Sequence, residues 1–144
     1  MNVDNLVPDE DWLCRFIRPG EWDFEENKPL PIAFRASRHQ LSVFHVQRVL
    51  DSGSSLSDLC IDGLNGAGEA HIQPKTAKEA ANEDNLEGFD PKVYWRPKHV
   101  ELAWEEWADA HAHIESDSGH RNFPNTYKLK LSELATPIRR PAEL

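Results

Sequence analysis

The six residues Ala110-His111-Ala112-His113-Ile114-Glu115 alternate small or apolar side chains with polar ones. In an extended chain, successive side chains point to opposite faces. Ala110, Ala112 and Ile114 therefore share one side, and His111, His113 and Glu115 the other. This period of two predicts a half-buried strand with its polar side turned to solvent. A strand with one buried face needs partner strands and a covering layer, so the rest of the chain must supply both.

Trp12-Leu13-Cys14-Arg15-Phe16-Ile17-Arg18 is rich in aromatic and branched residues and stops at Pro19-Gly20, which predicts a strand. Alternation places Leu13, Arg15 and Ile17 on one face, and Trp12, Cys14, Phe16 and Arg18 on the other. Arg15 lies between two apolar neighbours, so a carboxylate partner is expected for it. Glu21 to Pro31 reads as a loop, and Ile32 to Arg35 as a short extended piece. Leu41 to Phe44 predicts a second strand that turns into a short helix over His45 to Leu50. Ser55 or Ser57 can cap a further helical turn carrying Leu56, Leu59 and Ile61.

Gly63-Leu64-Asn65-Gly66-Ala67-Gly68 lacks the glycine order and the Lys-Ser/Thr ending of a phosphate loop, and reads as an irregular turn before Ala70-His71-Ile72. Thr76 and Glu79 form a capping box for a surface helix that Gly88 would end. Lys92 to Arg96 reads as a strand closed by Pro97. His99 to Asp109 has Val100, Ala103, Trp104, Trp107 and Ala108 on one helical face. Pro124 suits a helix start, with Tyr127, Leu131 and Leu134 facing inward. Thr136-Pro137-Ile138 is a final extended segment. These elements predict an α+β fold: a small, mainly antiparallel sheet with three or four packed helices.

A chain of 144 residues is long enough for one buried core. Its five tryptophans and six phenylalanines raise the area each apolar position can bury. Residues 12–144 are expected to form a single domain behind a flexible acidic N-terminus, residues 1–11. The net charge is −9. Residues 61–120 hold thirteen acids against five bases, a net of −8, whereas the tail from Arg121 is +3. An acidic body repels phosphate backbones, which argues against general nucleic-acid binding. No apolar run reaches the ~18 residues of a membrane span, and the acidic N-terminus shows no secretory signal, so a cytoplasmic setting is expected. Cys14 and Cys60 lack Cys-x-x-Cys spacing and read as buried core thiols.

An opening Leu13-Cys14-Arg15-Phe16-Ile17 strand, a middle Leu41-Ser42-Val43 strand and a late Ala110-His111-Ala112 strand resemble a loose set of small bacterial proteins. That resemblance covers residues 12 to about 140 and implies a bacterial origin but no particular activity. An early strand arginine, Phe34-Arg35-Ala36-Ser37 and a later acid resemble, more remotely, the plan of ADP-ribosyltransferases. No catalytic triad of that family falls on named residues here.

His111 and His113 project together from one strand, with His120 close behind, and could converge on a zinc ion. That would suit a small metal-dependent hydrolase or nuclease, the alternative reading of the chain. Ser42 and Cys60 lack the motif of an activated nucleophile. The five tryptophans could instead serve recognition. Trp22 and Phe24 in a loop, and Trp104 beside Glu105 and Glu106, are the interface candidates, because aromatics are enriched where proteins bind one another. The leading expectation is a non-catalytic accessory protein that binds another protein and carries no cofactor.

Overall fold

A computed structural model describes residues 5–36, 40–53, 55–56, 67–83, 89–96, 110–116 and 123–139. Eight strands are present among them: β1 (Leu13–Ile17), β2 (Trp22–Asp23), β3 (Lys28–Pro29), β4 (Gln40–His45), β5 (Gly68–Ile72), β6 (Pro91–Trp95), β7 (His111–Ser116) and β8 (Thr136–Arg139). Three α-helices accompany them: α1 (Val46–Asp51), α2 (Pro74–Glu83) and α3 (Asn125–Leu134). Six strands form one sheet in the order β6-β7-β4-β1-β5-β8, and β2 pairs with β3 in a small second sheet. Every neighbouring pair is antiparallel. The α+β class is thus as expected; the helix foreseen over His99 to Asp109, with Trp104 and Trp107, lies outside the described residues.

The alternation of β1 and β7 sorts their side chains onto two faces. Leu13 and Ile17, with Leu41, Val43, Ala70, Ile72, Val93, Ala112 and Ile114, build the main core. Helices α2 and α3 cover it. Ala77, Ala80 and Ala81 recur at helical spacing and are buried, and alanine carries the best intrinsic helix propensity. Their small side chains let α3 approach, and Tyr127 of α3 donates its hydroxyl to Ala77 O at 2.9 Å. Leu131 continues that stripe at 0% exposure, but Leu134, expected to face inward, is exposed. The chain leaves the helix at Ala135 and turns into β8.

Arg15 shares the core side of β1, and among the described residues it forms no salt bridge. Its Nε donates to Ala33 O at 2.6 Å and its guanidinium donates to Ser42 O at 2.8 Å. Two carbonyls take the place of the expected carboxylate. They tie β4 to the 3₁₀ turn Pro31–Phe34, which stands where an extended piece was expected. Burial lowers the Arg15 pKa to about 10, which leaves it charged at neutral pH.

The N-terminal segment departs from expectation. From Leu6 onward it is held rather than frayed. Leu6 bridges Tyr94, Val7 N donates to Val93 O at 2.9 Å, and Val7 is buried. Asp9 and Glu10 reach Lys78 and Lys75 of α2 at 2.7 and 2.8 Å. Those exposed ion pairs are worth little by themselves; the strand bridge and the buried valine do the anchoring.

Strand β5 begins at Gly68, the last residue of the expected irregular turn, and runs through Ala70-His71-Ile72. It sits inside the sheet, paired with β1 over Gly68 to Ile72 and with β8 over Gly68 to His71. Gly68 is required there. A Cβ at this position would stand 2.6 Å from the Trp22 ring and 2.7 Å from Ile138 O. Trp22 therefore closes over the backbone of β5 and is only 3% exposed. We expect Gly68→Ala to lower stability by about 1–3 kcal/mol through overpacking, measured as a shift in the urea midpoint. An unchanged midpoint would mean that the Trp22 ring is not seated on Gly68.

Candidate functional site

The second face of the sheet carries most of the chemistry-bearing side chains. Strand β7 turns His111, His113 and Glu115 to it. Phe44 pairs with His111, and Ser42 and Tyr94 flank His113 on the two neighbouring strands. On the other half of the sheet Cys14 pairs with His71, and Phe16 with Glu69. The histidines of β7 are buried on this face, although Ser42 beside His113 is exposed. His111 and His113 are each 4% exposed, so the solvent-facing side expected for β7 is buried.

Polar groups at such depth need partners, and Arg96, Glu115 and the backbone supply several of them. Arg96 grips Glu115 with two parallel bonds, Nε to Oε2 at 2.6 Å and a terminal nitrogen to Oε1 at 3.0 Å. A fork of this kind is among the stronger charge-assisted contacts. The Arg96 guanidinium also lies 4.6 Å from the centre of the Tyr94 ring. His113 Nδ1 stands 3.5 Å from Glu115 Oε2. Burial pushes the Glu115 pKa up, but the contacts to His113 and Arg96 outweigh it and hold the carboxyl below its ordinary value. His111 Nδ1 lies 2.9 Å from Arg96 O, so that nitrogen carries the proton and donates. The two imidazoles meet edge to face at 4.9 Å, and Phe44 packs on His111 at 5.3 Å.

A second cluster lies toward β5. Glu69 is 0% exposed, Cys14 is buried, and His71 is nearly so. His71 Nε2 stands 2.7 Å from Glu69 Oε1. One ligand atom from each of Cys14, Glu69 and His71 lies within 4.8 Å of the others. Among the described residues this is the triplet that converges tightly enough for a single ion, and it does not include His111 or His113. Cys14 and Glu69 had not been singled out for chemistry. The available signal was the Glu69-x-His71 spacing, which matches His111-x-His113 and places both side chains on one face of a strand.

A third histidine is used locally. His45 Nδ1 accepts the Arg48 backbone N–H at 3.2 Å and so caps α1. With that nitrogen accepting, Nε2 holds the proton and donates to Asp11 Oδ2 at 2.8 Å. Trp95 packs beside the His45 ring and under the Arg48 guanidinium.

Of the interface candidates, Trp22 is core, because its ring fills the space above Gly68. Phe24 is 51% exposed and stands near the tip of the β2–β3 hairpin. Asp23 Oδ1 accepts the N–H groups of Glu25 and Glu26 and shapes that turn. Asn27 completes it with a left-handed φ of 58°, a conformation asparagine tolerates better than most residues. The Arg139 guanidinium lies 5.0 Å from the Phe24 ring centre. Trp12, at the start of the β1 segment, is 46% exposed. Trp104 and His120 lie outside the described residues. A small cavity is lined by Leu6, Val7, Asp9, Pro74, Lys78, Lys92 and Val93, none of them a member of the three histidine clusters. No helix among the described residues is long and apolar enough to cross a membrane. Comparison with known proteins finds no matching family model, curated protein or solved structure.

Proposed function

We propose that this chain is a non-catalytic accessory protein that binds another protein through the hairpin tip around Phe24. The observation that carries this reading is a contrast in exposure. His111, His113 and Glu69 on the second face are buried, while Phe24 is open to solvent. Catalysis by His111 and His113 would need a substrate beside them, and their exposure gives it no approach. Glu115, the acid nearest to them, is already held by Arg96. Phe24, by contrast, has the character of an interface anchor: a large ring, presented by a short hairpin, with a guanidinium beside it. Trp22 at the base of the hairpin is fixed in the core, so Phe24 loses little freedom on docking.

The neighbouring outer strand of the sheet does not serve the same purpose. Strand β8 is the outer strand, but Pro137 interrupts its row of donors, which blunts strand addition. A partner is therefore expected to engage side chains at the hairpin rather than extend the sheet.

The test places a photo-crosslinking residue at position 24 in cells that make the protein natively. A discrete adduct is expected, and the purified adduct partner should rebind the intact chain. Phe24→Ala should weaken that complex by tenfold or more, since an anchor ring contributes about 2 kcal/mol or more, and leave the melting temperature within about a degree, as exposed positions generally do. No discrete adduct at position 24, or a complex indifferent to Phe24→Ala, would defeat the reading.

A further inference from the structure

The Cys14, Glu69 and His71 cluster carries an inference that stands apart from the hairpin reading, because it rests on different residues on a different face. We propose that these three side chains form a binding site for one divalent transition-metal ion of the zinc type.

The first support is geometric. Cys14 and His71 are directly opposed across the β1–β5 ladder, and Glu69 lies two residues before His71 on the same face. Sulfur, imidazole nitrogen and carboxylate oxygen therefore converge from rigid strands, with their ligand atoms within 4.8 Å of one another. Ligands around a tetrahedral zinc, with bonds of about 2.0–2.3 Å, stand roughly 3.3–3.7 Å apart. The cluster needs only rotamer-scale adjustment to reach that spacing. His71 Nε2 and Glu69 Oε1, now 2.7 Å apart, would separate slightly as the proton between them leaves.

The second support is charge. Ionised Cys14 and Glu69 with neutral His71 present a net charge of −2, which a divalent cation neutralises. The mixture of thiolate, imidazole and carboxylate suits zinc better than calcium or magnesium, which prefer oxygen alone. Three protein ligands leave one tetrahedral position for a water molecule or another donor.

Binding is expected to accompany folding, since the ligands come from separate strands and are enclosed once the sheet has formed. Ion binding releases the thiol proton and the proton shared by His71 and Glu69; no redox step is involved.

The experiment refolds the full-length, untagged chain with cobalt(II), whose thiolate complexes show a charge-transfer band in the near ultraviolet. The expected result is a band that saturates at about one equivalent of cobalt, is bleached by zinc, and is absent in Cys14→Ser. Only two cysteines are present, so Cys60→Ser serves as the matching control and should keep the band. This control holds even if Cys14→Ser fails to fold. Zinc should also raise the melting temperature of the wild-type chain by several degrees, and chelator should reverse the rise. Absence of the band in correctly refolded wild-type protein would overturn the proposal and leave Glu69 and His71 as a metal-free hydrogen-bonded pair. Loss of the band in Cys60→Ser would overturn it as well, by moving the thiolate elsewhere.

Discussion

Tyr127→Ala is expected to destabilise the protein by about 3–5 kcal/mol, the range for removing a large buried aromatic side chain. Tyr127 is 0% exposed and is the largest fully buried residue among those described. Its ring packs edge to face against Phe89 at 4.6 Å and Phe123 at 5.3 Å, and such pairs add to simple burial. The hydroxyl ties α3 to α2 through Ala77 O. Tyr127→Phe keeps the ring and loses only the hydrogen bond, so about 1 kcal/mol is expected. Urea unfolding of both variants separates the two contributions. A cost below about 1.5 kcal/mol for Tyr127→Ala would mean that the two helices do not meet through this ring.

The second large effect is expected from Arg96→Ala. Removing the guanidinium leaves Glu115 mostly buried beside His113 with its strongest partner gone. Breaking a buried pair in this way costs roughly 3–5 kcal/mol. Partial exposure of Arg96 puts the expectation at the lower end of that range. The pair also sets a pH dependence. The folded Glu115 pKa lies below its ordinary value, so the carboxylate binds protons less readily in the folded than in the unfolded chain. Its stabilisation is complete above the unfolded pKa of about 4.3. It is lost as pH falls through the lower, folded value. Arg96→Ala should therefore narrow the stability gap between pH 7 and pH 3, measured by denaturant unfolding at both. A variant with the wild-type gap would remove Arg96 as a main cause of the acid sensitivity at Glu115.

Where periodicity was clean, the fold was legible. Strands β1, β4, β6 and β7 and helix α3 each lie within two residues of the segments predicted for them. The two-sided alternation of β1 also held, with Leu13 and Ile17 in one cluster and Cys14 and Phe16 in the other. Strand β5 was not legible, for a physical reason. Gly68, Glu69 and His71 are poor strand formers, and their local preference points to a turn. They become strand because β1 and β8 pair with them and Trp22 covers Gly68, and neither contact can be read from local sequence. The same override explains Trp22. A tryptophan in a proline-flanked loop looks like a surface residue until a glycine elsewhere opens space for its ring.

The candidate site was half legible. The spacing of His111 and His113 placed both on one face of β7, as observed. That both imidazoles are buried was not readable, because a buried polar face carries the same alternation as a solvated one. The Cys14, Glu69 and His71 cluster is not readable from sequence because its members belong to strands far apart along the chain, and only the turn before Ala70-His71-Ile72 carries a local signal.

The central claim is that His111 and His113 are enclosed and the chain acts through its exterior. Site-resolved labelling of histidines with diethyl pyrocarbonate, read by mass spectrometry, tests it most directly. Enclosed imidazoles cannot meet the reagent, so His111 and His113 should stay unmodified in the native protein and react fully once it is unfolded in urea. Labelling of either residue in the native state at the rate of a free imidazole would contradict the account, and would reopen this face to a substrate.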